Sequence, residues 1–410
     1  MKKGALSDYF IGVGTKVLRG TEVDPTVSRG HELQGVDDFR VFLGAPSGKQ
    51  KIQVAYVWMA DEEEPFIRPL SATWYDSRSG QRHRSPEYRL YYPAAAEEIV
   101  YRARAGDRLF LCLPKNGPLL ALFCSQGTSI EQQLLWLFGL SKSSKEEIEQ
   151  IDLRKEPGRE LDIATRYVLE LINVEVVLSE DEWLKRLLAK FKGAFPATAD
   201  FSKFARDQVQ KVDPKKEPDR ALLEWMDLEE RLFMTLERHE VGKRLQRGFV
   251  LEDRPDVDGF MRYSLSVQNR RKARAGLALG NHVEALLKEH GVRFKREATT
   301  EARHRPDFLF PGEVEYRDLN WPEVRLTMLA AKTSCKERWR QVLREADRIK
   351  PKHLLTLEPG ISAAQTTDMK NESLQLVIPE RLHESYGSDQ RKELMSVGDF
   401  IDLVRRREES

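Results

Sequence analysis

RHRPDFLFPGEVEYRDLNWPEVRLTMLAAKTSCKERWRQVLREAD, residues 303–347, is the stretch that decides the fold of the C-terminal half of this chain. Asp307 precedes a short apolar run, 308–311, which Gly312 bounds. This pattern predicts a strand with a carboxylate at its mouth. A second apolar run, 324–331, ends at Lys332. If the two strands are neighbours, the acid and the lysine lie side by side.

The pattern changes to that of a helix at Ser334, which is a suitable N-cap residue. The apolar residues that follow recur at helical spacing and would form one buried stripe: Trp339, Val342, Leu343 and Ala346. Glu345 falls on another face of this predicted helix, together with Arg338 and Gln341. We therefore expect Glu345 to point back toward the strand ends.

An acid, a lysine and a second acid at one place suit phosphodiester hydrolysis. Mg²⁺ takes oxygen ligands, one or two of them carboxylates, and it polarises the phosphate and activates the attacking water. A lysine beside it offsets the developing charge. Taken singly, each residue also has an ordinary explanation, because surface charges are common. Asp307 could cap a turn, Lys332 could be solvated, and Glu345 could pair with Arg348 or Arg338.

The composition is typical of a soluble globular protein that is long enough for two domains. The chain has 410 residues, 40% of them hydrophobic and 32% charged, which is enough for two cores. The net charge is +1, so any surface that binds DNA must be locally basic. Three cysteines without a CxxC pair indicate a reducing, cytoplasmic compartment and no structural zinc. We expect no membrane span and no signal peptide, because no apolar run is long enough.

The turn signals and apolar runs divide the chain into three parts. Residues 1–140 predict a mostly-β domain, a small barrel or sandwich, followed by a linker region at 141–195 with helices at 161–172 and 182–191. Residues 196–410 predict an α/β domain, with the order helix, strand, strand, helix, strand, strand, helix from residue 278. Other predicted elements are strands at 39–43, 52–59, 90–92, 108–113, 119–123, 353–357 and 374–378, and helices at 130–138, 221–247 and 397–404. Asp227 is expected on the solvated face of the 221–247 helix.

Two basic segments of the first domain are candidates for binding DNA. WYDSRSGQRHRSPEYRLYYP, residues 74–93, places Arg78, Arg82 and Arg84 among aromatic residues around a Ser79-Gly80 turn. Arginines bind phosphates and read guanine edges. A second segment contains Arg29 and His31. The alternative for 74–93 is a solvated hairpin stabilised by cross-strand aromatic pairs.

A third basic segment, NRRKARAG at 269–276, holds four cations within five positions. They are Arg270, Arg271, Lys272 and Arg274. We expect them near the start of a helix, where backbone N–H groups and basic side chains bind phosphate. The alternative is a solvated run of charge.

Three motifs together resemble a known family. SVQNRRKARAG, RPDFLFPG and AAKTSCKERWRQVLREAD resemble the C-terminal catalytic domain of the EcoRII family of restriction endonucleases, in the PD-(D/E)xK superfamily. The resemblance covers roughly residues 223–403. It implies Mg²⁺ as cofactor, Asp307 and Glu345 as metal ligands, and Lys332 as the catalytic lysine. The family also has a glutamate on the helix after RRKxRAG. Gly280 stands at that place and Glu284 one turn later, so Glu284 is the candidate.

The resemblance also implies the architecture. We expect a multidomain protein with an N-terminal, mostly-β DNA-binding pseudobarrel and a C-terminal α/β PD-(D/E)xK nuclease domain that also dimerises. Segments of the first domain are similar to the loops by which the family's pseudobarrel holds an effector DNA. The candidates for that contact are Arg29, His31, Arg78, Arg82 and Arg84.

The residues after the catalytic lysine indicate which bases are read. Lys336, Glu337 and Arg338 open the predicted helix, and Lys or Arg pairs with guanine while Glu accepts from cytosine. The family reads CC·GG steps at this position, so we expect a palindrome of the CCWGG or CCNGG type. A palindromic site in double-stranded DNA implies a homodimer. A cognate DNA methyltransferase would be the genetic partner in a prokaryotic cytoplasm. The alternative is that Glu337 and Arg338 only form salt bridges within the helix.

Two other functions compete with a type II restriction endonuclease. One is a repair or recombination nuclease of the same superfamily that selects DNA structure. The KERWR segment at 336–340 argues against it, because such an enzyme needs no base-reading residues. The other is a DNA-binding regulator with a decayed nuclease domain. The joint presence of Asp307, Lys332 and Glu345 argues against that.

Overall fold

The computed structural model describes residues 4–28, 30–81, 83–140, 148–176, 181–192, 195–209, 211–335 and 338–409. The chain divides into two compact units. The N-terminal unit contains Met1–Glu175, Pro359–Gln365 and Ser385–Gly387. The C-terminal unit contains Val176–Glu358, Thr366–Glu384 and Ser388–Ser410.

The N-terminal unit is built on one mixed sheet. Its strands are β1 Phe10–Val17, β2 Glu32–Leu33, β3 Gln50–Met59, β4 Phe66–Asp76, β5 Tyr88–Tyr91, β6 Arg108–Pro114, β7 Leu119–Cys124 and β8 Ile148–Asp152. The sheet order is β2-β5-β4-β3-β7-β6-β1-β8, and it curls into a half-barrel. Only β3 and β7 are parallel neighbours in it. The helices are α1 Gly20–Val23, α2 Arg40–Leu43, α3 Glu97–Val100, α4 Ser129–Phe138 and α5 Ile163–Leu171, with short 3-10 turns at Leu6–Asp8, Asp37–Phe39 and Ala94–Ala96.

The helix predicted at 130–138 is α4, and its two ends have clear chemical causes. The Thr128 side chain caps the first turn by accepting from the N–H of Glu131. The helix ends at Gly139, whose φ of 66° is a conformation that glycine adopts without steric cost. The strands predicted at 52–59, 90–92, 108–113 and 119–123 correspond to β3, β5, β6 and β7.

The strand predicted at 39–43 is wrong, because these residues form a 3-10 turn that continues into α2. Phe39 and Phe42 are three residues apart, so a helical turn places both rings on the same side. Their rings stack with centroids 5.7 Å apart. They lie against Gly14 and Gly12 of β1, where an added Cβ would come within 2.3 Å and 2.5 Å of them. Two glycines in β1 therefore make room for the phenyl rings.

The second half of the chain alternates helices and strands after a helical segment. The helices are α6 Asp181–Phe191, α7 Thr198–Gln208, α8 Pro218–Gln246, α9 Val257–Glu289, α10 Glu313–Arg317, α11 Trp339–Val342, α12 Ala363–Asn371, α13 Ser388–Arg391 and α14 Val397–Glu409. The strands are β9 Val250–Leu251, β10 Arg254–Pro255, β11 Lys295–Arg296, β12 Phe308–Phe310, β13 Thr327–Lys332, β14 Lys352–Thr356 and β15 Leu374–Val377. Short 3-10 turns occupy Glu301–Arg303, Glu323–Arg325 and Glu380–Ser385.

Five of these strands form the central sheet, in the order β11-β12-β13-β14-β15. The first two pairs are antiparallel and the last two are parallel. The helix α12 between β14 and β15 is absent from the predicted order of elements. A parallel pair needs a crossover, and α12 supplies it.

Three expectations about helices are wrong. The basic run 269–276 lies in the middle of α9, not near a helix start, so no helix N-terminus assists it. Within the described residues, the α-helix expected from Ser334 is found at Trp339–Val342, and Glu345 lies in the bend after it rather than on the helix. Asp227 is 3% exposed rather than solvated, because α8 is buried on more than one face by α7 and α9.

Candidate active site

The antiparallel pairing of β12 and β13 brings Asp307 to Lys332. Phe308 pairs with Leu329, so Asp307, one residue before β12, lies beside the end of β13. Its Oδ2 accepts hydrogen bonds from the Ala331 N–H at 2.8 Å and from the Lys332 ammonium at 2.9 Å. The side chains of Lys332 and Asp307 are 26% and 31% exposed, so both remain reachable from solvent.

Glu345 faces the same two residues. Burial raises the pKa of Glu345 to about 7, the positive charge of Lys332 lowers it, and the negative charge of Asp307 raises it. Its Oε2 is buried without a hydrogen-bond partner in the structure. A buried carboxylate oxygen that accepts no hydrogen bond is costly unless something else binds it.

The donor set suits a hard divalent cation. The two carboxylates offer only oxygen atoms, and Mg²⁺ in proteins uses one or two carboxylates and keeps several waters. The buried Oε2 of Glu345, which accepts no hydrogen bond from the described residues, is an oxygen that such an ion would satisfy. Among the residues that the structure describes, no group of three or more His, Cys, Asp or Glu side chains could hold a metal. The arrangement is therefore a two-carboxylate site, with a lysine in place of a third acid.

Glu284 is engaged in two ion pairs. Its carboxylate lies 2.7 Å from Arg296 and 2.6 Å from Lys288. Burial opposes its ionisation, but the hydrogen bonds from these two cations outweigh it and hold the pKa of Glu284 below its usual range. Beside Gly280, an added Cβ would come within 2.5 Å of the Arg296 guanidinium. Arg296 therefore fills the space next to position 280.

The basic run divides into structural and exposed cations. Arg271 pairs with Glu237 at 2.5 Å, and Arg270 lies over the Phe195 ring. Arg274 is 8% exposed and donates to the Pro196 carbonyl at 3.1 Å. Lys272 is exposed and has no such contact among the described residues. Lys272 is thus the member of the run that is best placed to meet a ligand.

The predicted base-reading residues are described only in part. Lys336 and Glu337 lie outside the described residues. Arg338 is exposed immediately before α11, and its N–H donates to the Cys335 carbonyl at 2.7 Å. The structure therefore places Arg338 on an open surface that follows the end of β13.

Of the five predicted DNA-contacting residues of the N-terminal unit, two, Arg29 and Arg82, lie outside the described residues. His31 contacts Glu97 at 2.6 Å and stacks on Tyr92 with ring centroids 5.3 Å apart. Arg78 pairs with Glu87 at 2.8 Å. Arg84 is exposed in the turn after β4.

Arg89, on β5, is a residue to which the sequence analysis assigned no role of its own. Its guanidinium bridges Glu32 at 2.6 Å and Glu87 at 3.2 Å. Tyr75 donates to Glu32 at 2.5 Å, and burial together with this carboxylate raises the pKa of Tyr75 to about 12. The spacing of Arg78, Glu87 and Arg89 across a hairpin turn is the signal that could have indicated this network.

In the second half of the chain, Lys352 and Glu301 are two further residues to which the sequence analysis assigned no role. Each lies within a few residues of an apolar run and looks like an ordinary surface charge in the sequence. No helix among the described residues is both long enough and apolar enough to cross a membrane.

Comparison with known proteins agrees with the motif resemblance. Residues 233–401 match the family described as EcoRII C terminal. The type II restriction enzyme EcoRII of Escherichia coli is 39% identical over 231 residues, which are 56% of this chain and 53% of that enzyme. The chain thus spans about half the length of the curated relative it matches. The predicted resemblance to the EcoRII family is confirmed.

Two solved structures are also similar to part of the chain. Metal-depleted Ecl18kI in complex with uncleaved DNA is 18% identical, with a TM-score of 0.45, over 57% of this chain and 86% of the other. The restriction endonuclease PspGI–substrate DNA complex is 13% identical, with a TM-score of 0.41, over 56% of this chain and 92% of the other.

Proposed function

Because residues 233–401 match the EcoRII C-terminal family, we propose that this chain is a type II restriction endonuclease that hydrolyses phosphodiester bonds in double-stranded DNA. The observation that carries the proposal is the meeting of Asp307, Lys332 and Glu345 at the end of β13. Superfamily motifs can persist in a decayed enzyme. Here the Lys332 ammonium is hydrogen-bonded to Asp307, and Glu345, which has an unpaired carboxylate oxygen, lies close enough to respond to the charges of both. These are the groups that the reaction requires.

Each side chain has a defined role in this proposal. Asp307 and Glu345 are the groups that would hold Mg²⁺, because among the described residues nothing donates a hydrogen bond to Oδ1 of Asp307 or to Oε2 of Glu345. When bound, the ion polarises the phosphate and makes a water molecule more acidic. Lys332, oriented by its bond to Asp307, stabilises the negative charge that develops on the phosphoryl oxygens. Water adds to phosphorus, and one P–O bond to the leaving sugar oxygen breaks.

The proposed target is a palindromic CCWGG or CCNGG site. Support comes from the segment 335–338, in which Lys336, Glu337 and Arg338 begin four residues after the proposed catalytic lysine, Lys332. Arginine or lysine contacts guanine and glutamate contacts cytosine in the major groove. A palindrome cut on both strands calls for two active sites, and hence for a homodimer. A cognate DNA methyltransferase would protect the host DNA in a prokaryotic cytoplasm.

The N-terminal unit is proposed to be a pseudobarrel that binds a second DNA copy and restrains cleavage until it does so. Its half-barrel sheet presents Arg84 on an exposed turn, with Arg78 and His31 on neighbouring segments. Basic side chains on a turn can follow a DNA backbone without distortion of the sheet beneath them. This role extends the activity proposed for the C-terminal unit and is separable from it.

The test is incubation of the full chain with Mg²⁺ and two plasmids, one with several CCWGG sites and one with none. Discrete fragments whose sequenced ends lie at CC·GG steps support the proposal. A smear, or cutting confined to branched DNA, would instead indicate a structure-selective nuclease. A gel shift without cutting would indicate a regulator. Asp307→Asn is the matched control, because its amide oxygen can still accept from the Ala331 N–H.

A further inference from the structure

The acid Glu345 is carried by an irregular turn. Helix α11 ends at Val342 and β14 begins at Lys352, and the chain between them is neither helix nor strand. Glu345 retains one helix-like bond, from its N–H to the Val342 carbonyl at 3.0 Å. The next residue, Ala346, has a φ of 51°, which is unfavourable for a residue with a Cβ. Such a turn needs contacts with other parts of the chain if it is to hold the Glu345 side chain in one orientation.

Lys352 supplies that support from the sheet. It is the first residue of β14, the strand beside β13, and it is 5% exposed. Its ammonium donates to the carbonyls of Ala346 at 2.9 Å and Ile349 at 3.3 Å. These are carbonyls in the turn beyond the end of α11. The lysine therefore links two carbonyls of the turn to β14, the strand beside β13, which ends at Lys332.

Burying the Lys352 ammonium costs desolvation free energy, which indicates that its positive charge has a structural role. Burial lowers the pKa of Lys352, while Asp347, Glu301 and Glu345 act against that shift. An apolar side chain of similar length could fill the position without losing the hydration of an ammonium group. What the lysine adds is a pair of hydrogen bonds to the turn and a positive charge that faces the Glu345 carboxylate.

Two further side chains, Glu301 and Arg348, also hold this turn. Glu301 accepts from the Asp347 N–H at 3.3 Å and from the Tyr316 hydroxyl at 2.6 Å. The Arg348 guanidinium donates to the carbonyls of Tyr316, Asp318 and Trp321, the last two at 3.0 Å. Lys352 differs from both in that it holds the turn from the central sheet, on the strand beside the one that carries Lys332.

We propose that Lys352 is a positioning residue, whose ammonium holds the 343–349 turn so that the Glu345 carboxylate stays directed at Asp307 and Lys332. This inference rests on the proposed function, in which Glu345 binds a divalent cation. It assigns to Lys352 no contact with DNA and no proton transfer. Its effect on the site passes through the turn and through the charge that it presents to Glu345.

The test is Mn²⁺ binding, measured by the loss of the free-ion signal in electron paramagnetic resonance, so that no turnover is needed. Lys352→Met keeps the length of the side chain and removes the charge. Loss of a group that orients a metal ligand typically weakens metal affinity roughly 10- to 100-fold, and that is the expected effect. Lys350→Met, the same substitution at an exposed position two residues away, should bind Mn²⁺ as the wild type does.

The outcomes separate this inference from the proposed function. Asp307→Asn defines the binding that belongs to the site. If the wild type binds no Mn²⁺ in an Asp307-dependent way, the proposed function fails, and this inference fails with it. If the wild type binds and Lys352→Met binds equally well, or Lys350→Met weakens binding as much, only the positioning role is overturned.

If circular dichroism shows that Lys352→Met is unfolded, hydrogen exchange of the wild-type protein tests the proposal instead. Hydrogen exchange should then find the Glu345 and Ile349 amides protected nearly as well as those of β13, because the turn is held as a unit. Rapid exchange of these amides beside a protected β13 would overturn the proposal.

Discussion

The ammonium of Lys332 and the backbone N–H of the preceding residue, Ala331, both donate to one oxygen of Asp307, at 2.9 Å and 2.8 Å. One strand therefore fixes the acid twice, through its backbone and through its last side chain. The second oxygen of Asp307 receives no hydrogen bond within the described part of the chain. The pair is thus oriented before any ligand arrives, which lowers the cost of assembling the site.

Replacing Lys332 with methionine should abolish most cleavage while leaving DNA binding in place. The variant keeps the apolar stem and removes the charge that would stabilise the transition state. A loss on the order of 10²–10³-fold in the single-turnover rate is expected. Plasmid cleavage with enzyme in excess measures it, and a gel shift in Ca²⁺ measures binding. Cleavage at the wild-type rate would exclude Lys332 from the reaction, and Lys350→Met is the matched control.

Replacing Glu345 with glutamine should stabilise the metal-free protein at high pH. Burial raises the pKa of Glu345 to about 7, well above its value in an unfolded chain. Its contribution to folding is therefore fully present below about pH 4.5 and is lost as the pH rises through 7. Because the side chain is partly exposed and screened, we expect a gain of only about 1 kcal/mol at pH 8. Urea unfolding at pH 5 and pH 8 in EDTA measures it.

The matched control, Glu284→Gln, should change the stability at pH 8 in the opposite direction. The pKa of Glu284 is held below its usual range by Lys288 and Arg296, so its ionised form stabilises the fold above that range. Glu284→Gln should therefore lower stability at pH 8, and the loss should shrink as the pH falls. If both glutamine variants change stability in the same direction at pH 8, the assignment of Glu345 as an unsupported buried acid is wrong.

The sequence predicted the meeting of Asp307 and Lys332 because two short apolar runs, each with a charge at one end, leave few ways to pair. It could not predict how Glu345 is carried. Its helical spacing with Trp339 and Val342 is real, but α11 ends after one turn. The tertiary contacts of Lys352 and Arg348 hold the remaining residues in a different conformation. Helical periodicity reports only the spacing of apolar residues and carries no information about such tertiary contacts.

The basic run shows a second limit of sequence reasoning. Its residues look alike in the sequence, yet Arg274 is buried and Lys272 is exposed. A 33-residue helix turns each of them toward a different environment, and the buried residues of α9 begin at Arg274. Similarly, Asp227 has the spacing of a surface residue and is 3% exposed.

Substitutions in this run should therefore separate stability from DNA binding. Arg274→Met removes the hydrogen bond to the Pro196 carbonyl and the contacts with the Phe201 and Phe233 rings. We expect it to cost about 2–3 kcal/mol in urea unfolding. Lys272→Met should leave stability unchanged and weaken DNA binding, with a salt dependence reduced by about one phosphate contact. The reverse pattern would contradict the assignment.

In the N-terminal unit, substitutions of Arg84 and Arg89 should likewise separate DNA binding from stability. Arg84→Ala should leave thermal stability unchanged and reduce the affinity of the full chain for a second duplex, since Arg84 is exposed on its turn. Arg89→Met should lower stability, because it leaves Glu32 and Glu87 without the cation that bridges them. Fluorescence anisotropy with a labelled duplex measures the first effect. An Arg84→Ala variant with unchanged affinity at low and high salt would remove Arg84 from the proposed contact surface.

His353 should make the C-terminal unit sensitive to acid well above the range in which carboxylates titrate. It lies on β14, is 1% exposed, and its ring meets Phe400 edge to face at 5.1 Å. Burial and the nearby Arg407 lower the pKa of His353 to about 4. The unfolded chain takes up the proton near pH 6.5. Stability is therefore present above pH 6.5 and is lost as the pH falls toward 4.

The loss by pH 4 should reach up to about 3 kcal/mol, since each pH unit of difference contributes about 1.4 kcal/mol. His353→Gln keeps a polar side chain and removes the titration. Urea unfolding of both proteins from pH 7.5 to 4.5 cancels the groups that they share. The variant should be the less stable at pH 7.5, because glutamine packs less well on Phe400, and the difference should close or reverse toward pH 4.5. His304→Gln controls for the removal of a histidine as such. Parallel stability curves for the wild type and His353→Gln would mean that the imidazole is protonated as readily in the fold as in the unfolded chain.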